Sequence, residues 1–229
     1  MQEAHKPRRR LKIWKVLLAI FLLLLLSVVV LVAMTGLVPG LSSVVGADHP
    51  RDLGVTATAE DYDRVVEEVS FLLKRPPAAA DSPKAGPQPI DREFTEGELT
   101  ALLAHQATGS SPIRDPQVRI HADGMVEIAL SIAKTALPAE VVKFLPRATP
   151  EVLPMYVKGR LDLAGQSKVD LQIERLEVGR IPLPLSVLGA DAQAELTNVI
   201  NGELQQPGLV LEDLIFREGA VRVKGTYQP

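Results

Sequence analysis

The sequence predicts an α+β protein: an N-terminal transmembrane helix followed by an antiparallel-sheet domain of three long hairpins packed on two main helices. Three observations lead there. An apolar run free of charge extends from Val16 to Met34. Beyond it, the spacing of apolar residues switches from helical to strictly alternating and back. Turn signals such as Asp123-Gly124 and Glu218-Gly219 stand between the alternating stretches. Long antiparallel strands segregated from helices define the class.

The N-terminal run is broken only by Ser27. At about 1.5 Å per residue it can cross a hydrocarbon core ~30 Å thick. A buried soluble helix would show a polar stripe, and this run is apolar all round. Lys6, Arg8, Arg9, Arg10, Lys12 and Lys15 precede it against Glu3 alone, so the positive-inside rule leaves the N-terminus in the cytoplasm and the C-terminal domain extracytoplasmic. Trp14 falls at the cytoplasmic boundary, where an amphipathic ring suits the headgroup layer. A secretory signal is the rival reading, because Val45-Gly46-Ala47 resembles a cleavage site. That site lies too far past Met34, and the run is longer than a signal needs. The expectation is an uncleaved signal-anchor in the cell membrane, with a basic cytoplasmic tail (1–15), a transmembrane helix (16–38), a juxtamembrane segment with an amphipathic helix (39–75), a Pro-rich linker (76–90) and an extracytoplasmic α+β domain (91–229).

Within the juxtamembrane segment, Thr58-Ala59-Glu60-Asp61 reads as a capped helix start with acids in the first turn. Tyr62, Val65, Val66, Val69, Leu72 and Leu73 follow at helical spacing up to Pro76-Pro77. Prolines 76, 77, 83, 87 and 89 among small residues then predict an extended linker. The body opens on a capping box, Thr95-Glu96-Gly97-Glu98, with Phe94 and Leu99 placed as a hydrophobic staple. The first hairpin joins Val118, Ile120 and Ala122 to Val126, Ile128, Leu130 and Ile132 across Asp123-Gly124. Pro138 opens a short helix through Val141, Val142 and Leu145, bounded by Pro146. The second hairpin joins Met155, Val157, Leu161 and Leu163 to Val169, Leu171 and Ile173 across Ala164-Gly165-Gln166-Ser167. Its apolar phase then shifts to Leu176 and Val178, which requires a bulge near Glu174 and Arg175. Ile181-Pro182-Leu183-Pro184 is expected to interrupt the sheet. Leu188, Ala192, Leu196, Val199 and Ile200 continue as a second long helix ending before Pro207, and a third hairpin runs through Leu209–Phe216 and Val221–Tyr227.

Chemistry is scarce. Lys+Arg 25 against Asp+Glu 28 gives a net charge of −3, a basic head on a more acidic body, which argues against a nucleic-acid partner. The chain has no cysteine, so thiol catalysis, zinc ribbons, disulfides and a lipidated cysteine are excluded. His5, His49, His105 and His121 have no metal-site spacing, and there is no Gly-x-Ser-x-Gly elbow, phosphate loop or dinucleotide fingerprint. Gly36 to Gly40 has small-residue spacing for helix pairing, but it contains Pro39 and reads as a helix terminus. Asp162, Asp170, Glu174 and Glu177 alternate with apolar residues and read as a solvated sheet face, not a glycosidase carboxylate pair. No catalytic residue, cofactor or metal is expected. With aromatics only 4% of the chain, the inward positions are aliphatic: either an ordinary core or a groove for alkyl chains.

Four stretches carry a family likeness: Asp52-Leu53-Gly54-Val55, Phe94–Leu99, Gly179-Arg180-Ile181-Pro182-Leu183-Pro184 and Gly219–Thr226. With the single N-terminal span, they resemble the YpmS-like group of bacterial membrane-anchored proteins of undetermined function. The order of helices and long hairpins is more distantly similar to tubular lipid-binding (TULIP-like) domains, in which a bent antiparallel sheet wraps a helix around an acyl-chain groove. The resemblance implies a non-enzymatic envelope protein that binds or shields a lipid or lipid-linked molecule. Val157, Leu161, Leu171, Ile173, Leu188, Leu196 and Ile200 are the lipid-groove candidates. The alternative is an extracytoplasmic interaction module that recruits an envelope protein partner.

Overall fold

The computed structural model describes residues 10–36, 38, 40–44, 46–73, 87–109, 111–137, 139–146, 149–165, 167–186, 194, 197–198, 201 and 209–227. Within these the fold is α+β with two antiparallel sheets. Helix α1 (Arg10–Ala33) carries the apolar run, and Ile20 to Leu31 leave their large apolar side chains 39% to 69% exposed. Side-chain exposure along α1 is described from Ala19 onward. Among the described residues no helix is long and apolar enough to cross a membrane. A short turn, α2 (Leu41–Val44), follows, then an extended strap through residues 50–58, then α3 (Ala59–Leu73). Thr58 and Asp61 cap α3 reciprocally: Asp61 N donates to Thr58 Oγ1 at 3.1 Å and Thr58 N to Asp61 Oδ2 at 2.9 Å.

Strand β1 (Gln88–Thr95) runs directly into α4 (Glu96–Gln106). The linker expected over 76–90 therefore stops short, since residues 88–90 are already strand; residues 76–86 lie outside the described residues. Pro89 fits because β1 is an edge strand, where a missing N–H costs no ladder bond. Thr95 has a double duty, ending β1 and capping α4: Glu98 N donates to Thr95 Oγ1 at 3.2 Å, and Thr95 N donates to Glu98 Oε2 at 2.8 Å. Phe94 and Leu99 pack into one apolar cluster, so the staple forms as expected. Buried Glu98 also accepts from Arg64 Nη1 at 3.0 Å, which ties α3 to α4, while Tyr62 stacks on His105 at 4.1 Å between centroids.

The five-stranded sheet has the order β2-β3-β4-β5-β6, made of β2 (Ile113–Ile120), β3 (Met125–Ala133), β4 (Val152–Leu163), β5 (Val169–Val178) and β6 (Ile181–Leu183). The three-stranded sheet, β1-β8-β7, pairs β7 (Leu209–Arg217) and β8 (Ala220–Tyr227) with β1. All three expected hairpins are present. β1 and β6 were not expected as strands. Ile181-Pro182-Leu183 does not interrupt the sheet: it forms an edge strand in which Pro182 points to solvent opposite Glu177, a place proline tolerates. Between β3 and β4, α5 (Ala139–Phe144) is the short helix expected after Pro138.

The bulge falls where the phase shift placed it. Lys158 pairs with Arg175 and Gly159 with Ile173, leaving Glu174 as the extra residue. Gly159 is required there, because a Cβ would stand 2.8 Å from the Gln172 carbonyl oxygen. The two sheets meet through backbone bonds from Gly219 N to Ile120 O (2.9 Å) and from Ser167 N to Leu211 O (3.0 Å). Of the span expected as the second long helix, Ala194, Thr197, Asn198 and Asn201 are described, each in helical conformation, and Asn201 brackets Val169, accepting from its N at 2.7 Å and donating to its O at 2.9 Å. Leu188, Leu196 and Ile200 lie outside the described residues.

Replacing Thr95 by Ala removes the acceptor for Glu98 N, and we expect a loss of about 1 kcal/mol in chemical denaturation. An unchanged unfolding midpoint would show that the cap carries no net stability.

Candidate functional site

The five-stranded sheet has two chemically different faces, and its register assigns each residue to one. Ile128, Val157 and Leu176 lie side by side across β3, β4 and β5 on the apolar face, with Val118 beside Ile128 on β2. Past the bulge, Gly159 pairs with Ile173 and Leu161 with Leu171. Four groove candidates, Val157, Leu161, Leu171 and Ile173, therefore share this bent face. Ile173 is buried and the other three are half-buried. Clusters around Val141, Leu153 and Val178 at one end, and around Val118, Ile120 and Val221 at the other, flank them. Two open clefts in the described surface lie elsewhere: one of about 630 Å³ between Val55, Ala104, Gly109 and Arg114, and one of about 320 Å³ at His121, Met125, Lys158 and Glu218. Neither is lined by a groove candidate.

The opposite face is polar, and one expectation fails on it. Glu177 does not face solvent: it is 1% exposed, because the strap crosses the sheet above it. Arg51 grips its carboxylate in a two-point fork, Nε to Oε2 at 3.0 Å and Nη2 to Oε1 at 2.9 Å, and Arg175 Nε donates to Oε1 at 2.6 Å. Asp162 and Glu174 are exposed as expected, and Asp170 is half-exposed. The Arg51 guanidinium lies over the Tyr156 ring, 4.6 Å from its centroid. Tyr156 Oη donates to Glu127 Oε2 at 2.7 Å, and His121 Nε2 meets Glu127 Oε1 at 2.8 Å. Leu53 and Val55 of the strap pack on Ala129 and Tyr156. Leu53 N donates to Gln117 Oε1 at 2.7 Å, and its carbonyl accepts from Arg119 at 3.0 Å.

In this chain of groups each carboxylate is engaged: Glu177 by Arg51 and Arg175, and Glu127 by Tyr156 and His121. Burial pushes Glu127 up, but the hydrogen bonds from Tyr156 and His121 and the charge of Lys158 outweigh it, and the group is held below its ordinary range. Burial and the Glu127 carboxylate together push the Tyr156 phenol up to about 12. The two shifts share one bond, a phenol donating to a carboxylate, to which burial adds for Tyr156 and His121 and Lys158 add for Glu127. Among the described residues no cluster of histidine and acidic side chains can hold a metal ion. Sequence reasoning missed Arg51, Tyr156, Glu127 and Glu177 as a unit. The only local signal was Lys158 and Arg160 standing beside the acids on the polar face of the second hairpin.

Glu177→Ala would leave the Arg51 and Arg175 guanidiniums opposed without their shared anion. Because both are more than a third exposed, we expect a loss of about 2 kcal/mol, below the usual cost of breaking a fully buried pair, read by urea denaturation. The Tyr156–Glu127 bond contributes stability that is present below the ordinary phenol value of 10.0 and is lost as pH rises through about 12. On the acid side, its contribution is present above the ordinary carboxylate range and is lost as pH falls through the lowered Glu127 value. Absorbance titration of the three tyrosines should therefore show one ionising near 12, and Tyr156→Phe should abolish that step. Neither a family model nor a curated protein matches the chain.

Proposed function

We propose that this chain is a single-pass envelope protein, N-terminus cytoplasmic, whose external domain binds or shields a lipid or lipid-linked molecule without covalent chemistry. The observation that carries the reading is the bent apolar face of β4 and β5, on which Val157, Leu161, Leu171 and Ile173 adjoin across the register. Branched aliphatic side chains on a curved sheet offer an alkyl chain continuous dispersion contact with no polar group to desolvate. The exposed side chains of α1 support the anchor, because a row of bare Leu, Val and Phe is costly in water and stable in lipid. The resemblance to YpmS-like anchored proteins and TULIP-like lipid binders points the same way. An interaction module is the second reading, and the open cleft of about 630 Å³ beside α4 favours it, as it is lined partly by Arg114, Asp115 and Gln117 and could seat a peptide.

A reporter fused after Pro229 should be active only outside the cytoplasm; activity inside would sink the topology. For the ligand, native mass spectrometry of the full chain extracted from bacterial membranes should find bound lipid. Val157→Glu should abolish that lipid while leaving the circular dichroism unchanged, since a groove wall can rehydrate where a closed core cannot. A parent without lipid, together with an unfolded Val157→Glu protein, would overturn lipid binding in favour of the interaction module.

A further inference from the structure

Helix α1 departs from one particular end of the five-stranded sheet, and it is pinned there. Ala33 and Gly36 are buried although Ile20 to Leu31 are bare. Gly36 lies so close to the body that a Cβ would collide with the Ala47 carbonyl oxygen and come within 3.1 Å of that of Gly179, in the β5–β6 turn; its φ of 73° also suits glycine. Ser42, with 1% exposure, accepts from Val38 N, and its carbonyl accepts from Ala47 N at 2.8 Å. Arg180 Nη2 then reaches the His49 carbonyl, and Arg51 is forked onto Glu177. The chain between helix and sheet thus touches the body at Gly36, His49 and Arg51, and the end of the domain carrying Gly179 is held beside the point where α1 stops.

At that same end β4 begins with Val152, three residues before Met155, the partner of Val178 on β5. At about 3.3 Å per residue Val152 projects roughly 10 Å beyond the end of β5. It is 38% exposed, and Leu41 on α2 is 39% exposed. Val210 is the control, a β7 valine of the three-stranded sheet, 36% exposed, whose neighbour Leu211 bonds to Ser167 in the β4–β5 turn at the opposite end of the five-stranded sheet. Headgroups extend a bilayer by about 6 Å on each side of its ~30 Å core. The apolar run ends at Met34, two residues before Gly36.

We infer that this end of the domain, through Val152 and Leu41, rests in the headgroup layer of the outer leaflet as a second contact with the lipid surface. The inference builds on the membrane-anchor reading. It also gives the apolar face a direction, because the cluster of Val141, Leu153 and Val178 becomes the end nearest the lipid.

The chain's one tryptophan, Trp14, allows the two claims to be separated. Full-length protein is reconstituted into phosphatidylcholine vesicles containing acyl-brominated lipid, and tryptophan quenching is read for the wild type and, in a Trp14→Phe background, for Val152→Trp, Leu41→Trp and Val210→Trp. Val152→Trp and Leu41→Trp should be quenched severalfold more strongly than Val210→Trp. Circular dichroism identifies any variant that does not fold, and either rim position suffices for the comparison. Quenched Trp14 with both rim positions no more quenched than Val210→Trp would overturn the inference alone. Unquenched Trp14 would overturn the anchor and the inference with it. Blue-shifted but unquenched rim tryptophans would also overturn it, placing a second copy of the chain on this surface.

Discussion

The seating of the strap on the polar face depends on one carboxylate. Glu177 is removed from water next to the end of β5, a position that would be prohibitively unfavourable without compensation. Its compensation is a fork from Arg51 and a single bond from Arg175, so both oxygens are engaged. Arg175 is on the same strand, two residues away, and would be there in any case. Arg51 arrives from the other side of the sequence and brings the strap with it. Once Arg51 is committed, Leu53 and Val55 are laid on Ala129 and Tyr156, the Leu53 backbone is paired to Gln117 and Arg119, and α3 is delivered to α4, where Arg64 meets Glu98.

The same interaction explains why the segment after α1 is not a free tether. Buried Gly36 against the Gly179 carbonyl, Arg180 on the His49 carbonyl and Arg51 on Glu177 tie the described residues of this link to the body at three points. Burial of a charge is a weak source of net stability but a strong constraint on geometry, because the alternative arrangements leave it unpaired. Here the constrained quantity is the path of the strap across the sheet.

The other face is organised by a different device. One extra residue, Glu174, opposite a stretch of β4 where Gly159 leaves room for the Gln172 backbone, bends β4 and β5 and returns the alternation to register beyond it. The apolar residues on the two sides of the bend consequently face one way, and a flat pair of strands becomes a curved wall. Function, on the reading proposed above, resides in this contrast: a polar face used up in holding the strap, and an aliphatic face left for an apolar occupant.

Features set by near neighbours were legible in the amino-acid order. The capping box at Thr95 and Glu98, the cap at Thr58, the Asp123-Gly124 turn, the short helix after Pro138 and the bulge at Glu174 each arise from contacts between adjacent strands or within one helical turn, so local spacing was enough to place them. The strand character of Gln88–Thr95 was hidden by Pro87 and Pro89 and needed β8, far along the chain, to become visible. Ile181–Leu183 likewise became a strand because β5 offered an open edge. Glu177 is the sharpest case, since alternation records only that a residue points to the polar side of its strand. Whether water or another part of the chain lies on that side is decided by Arg51, 126 residues away, and no period within a strand encodes a partner at that distance.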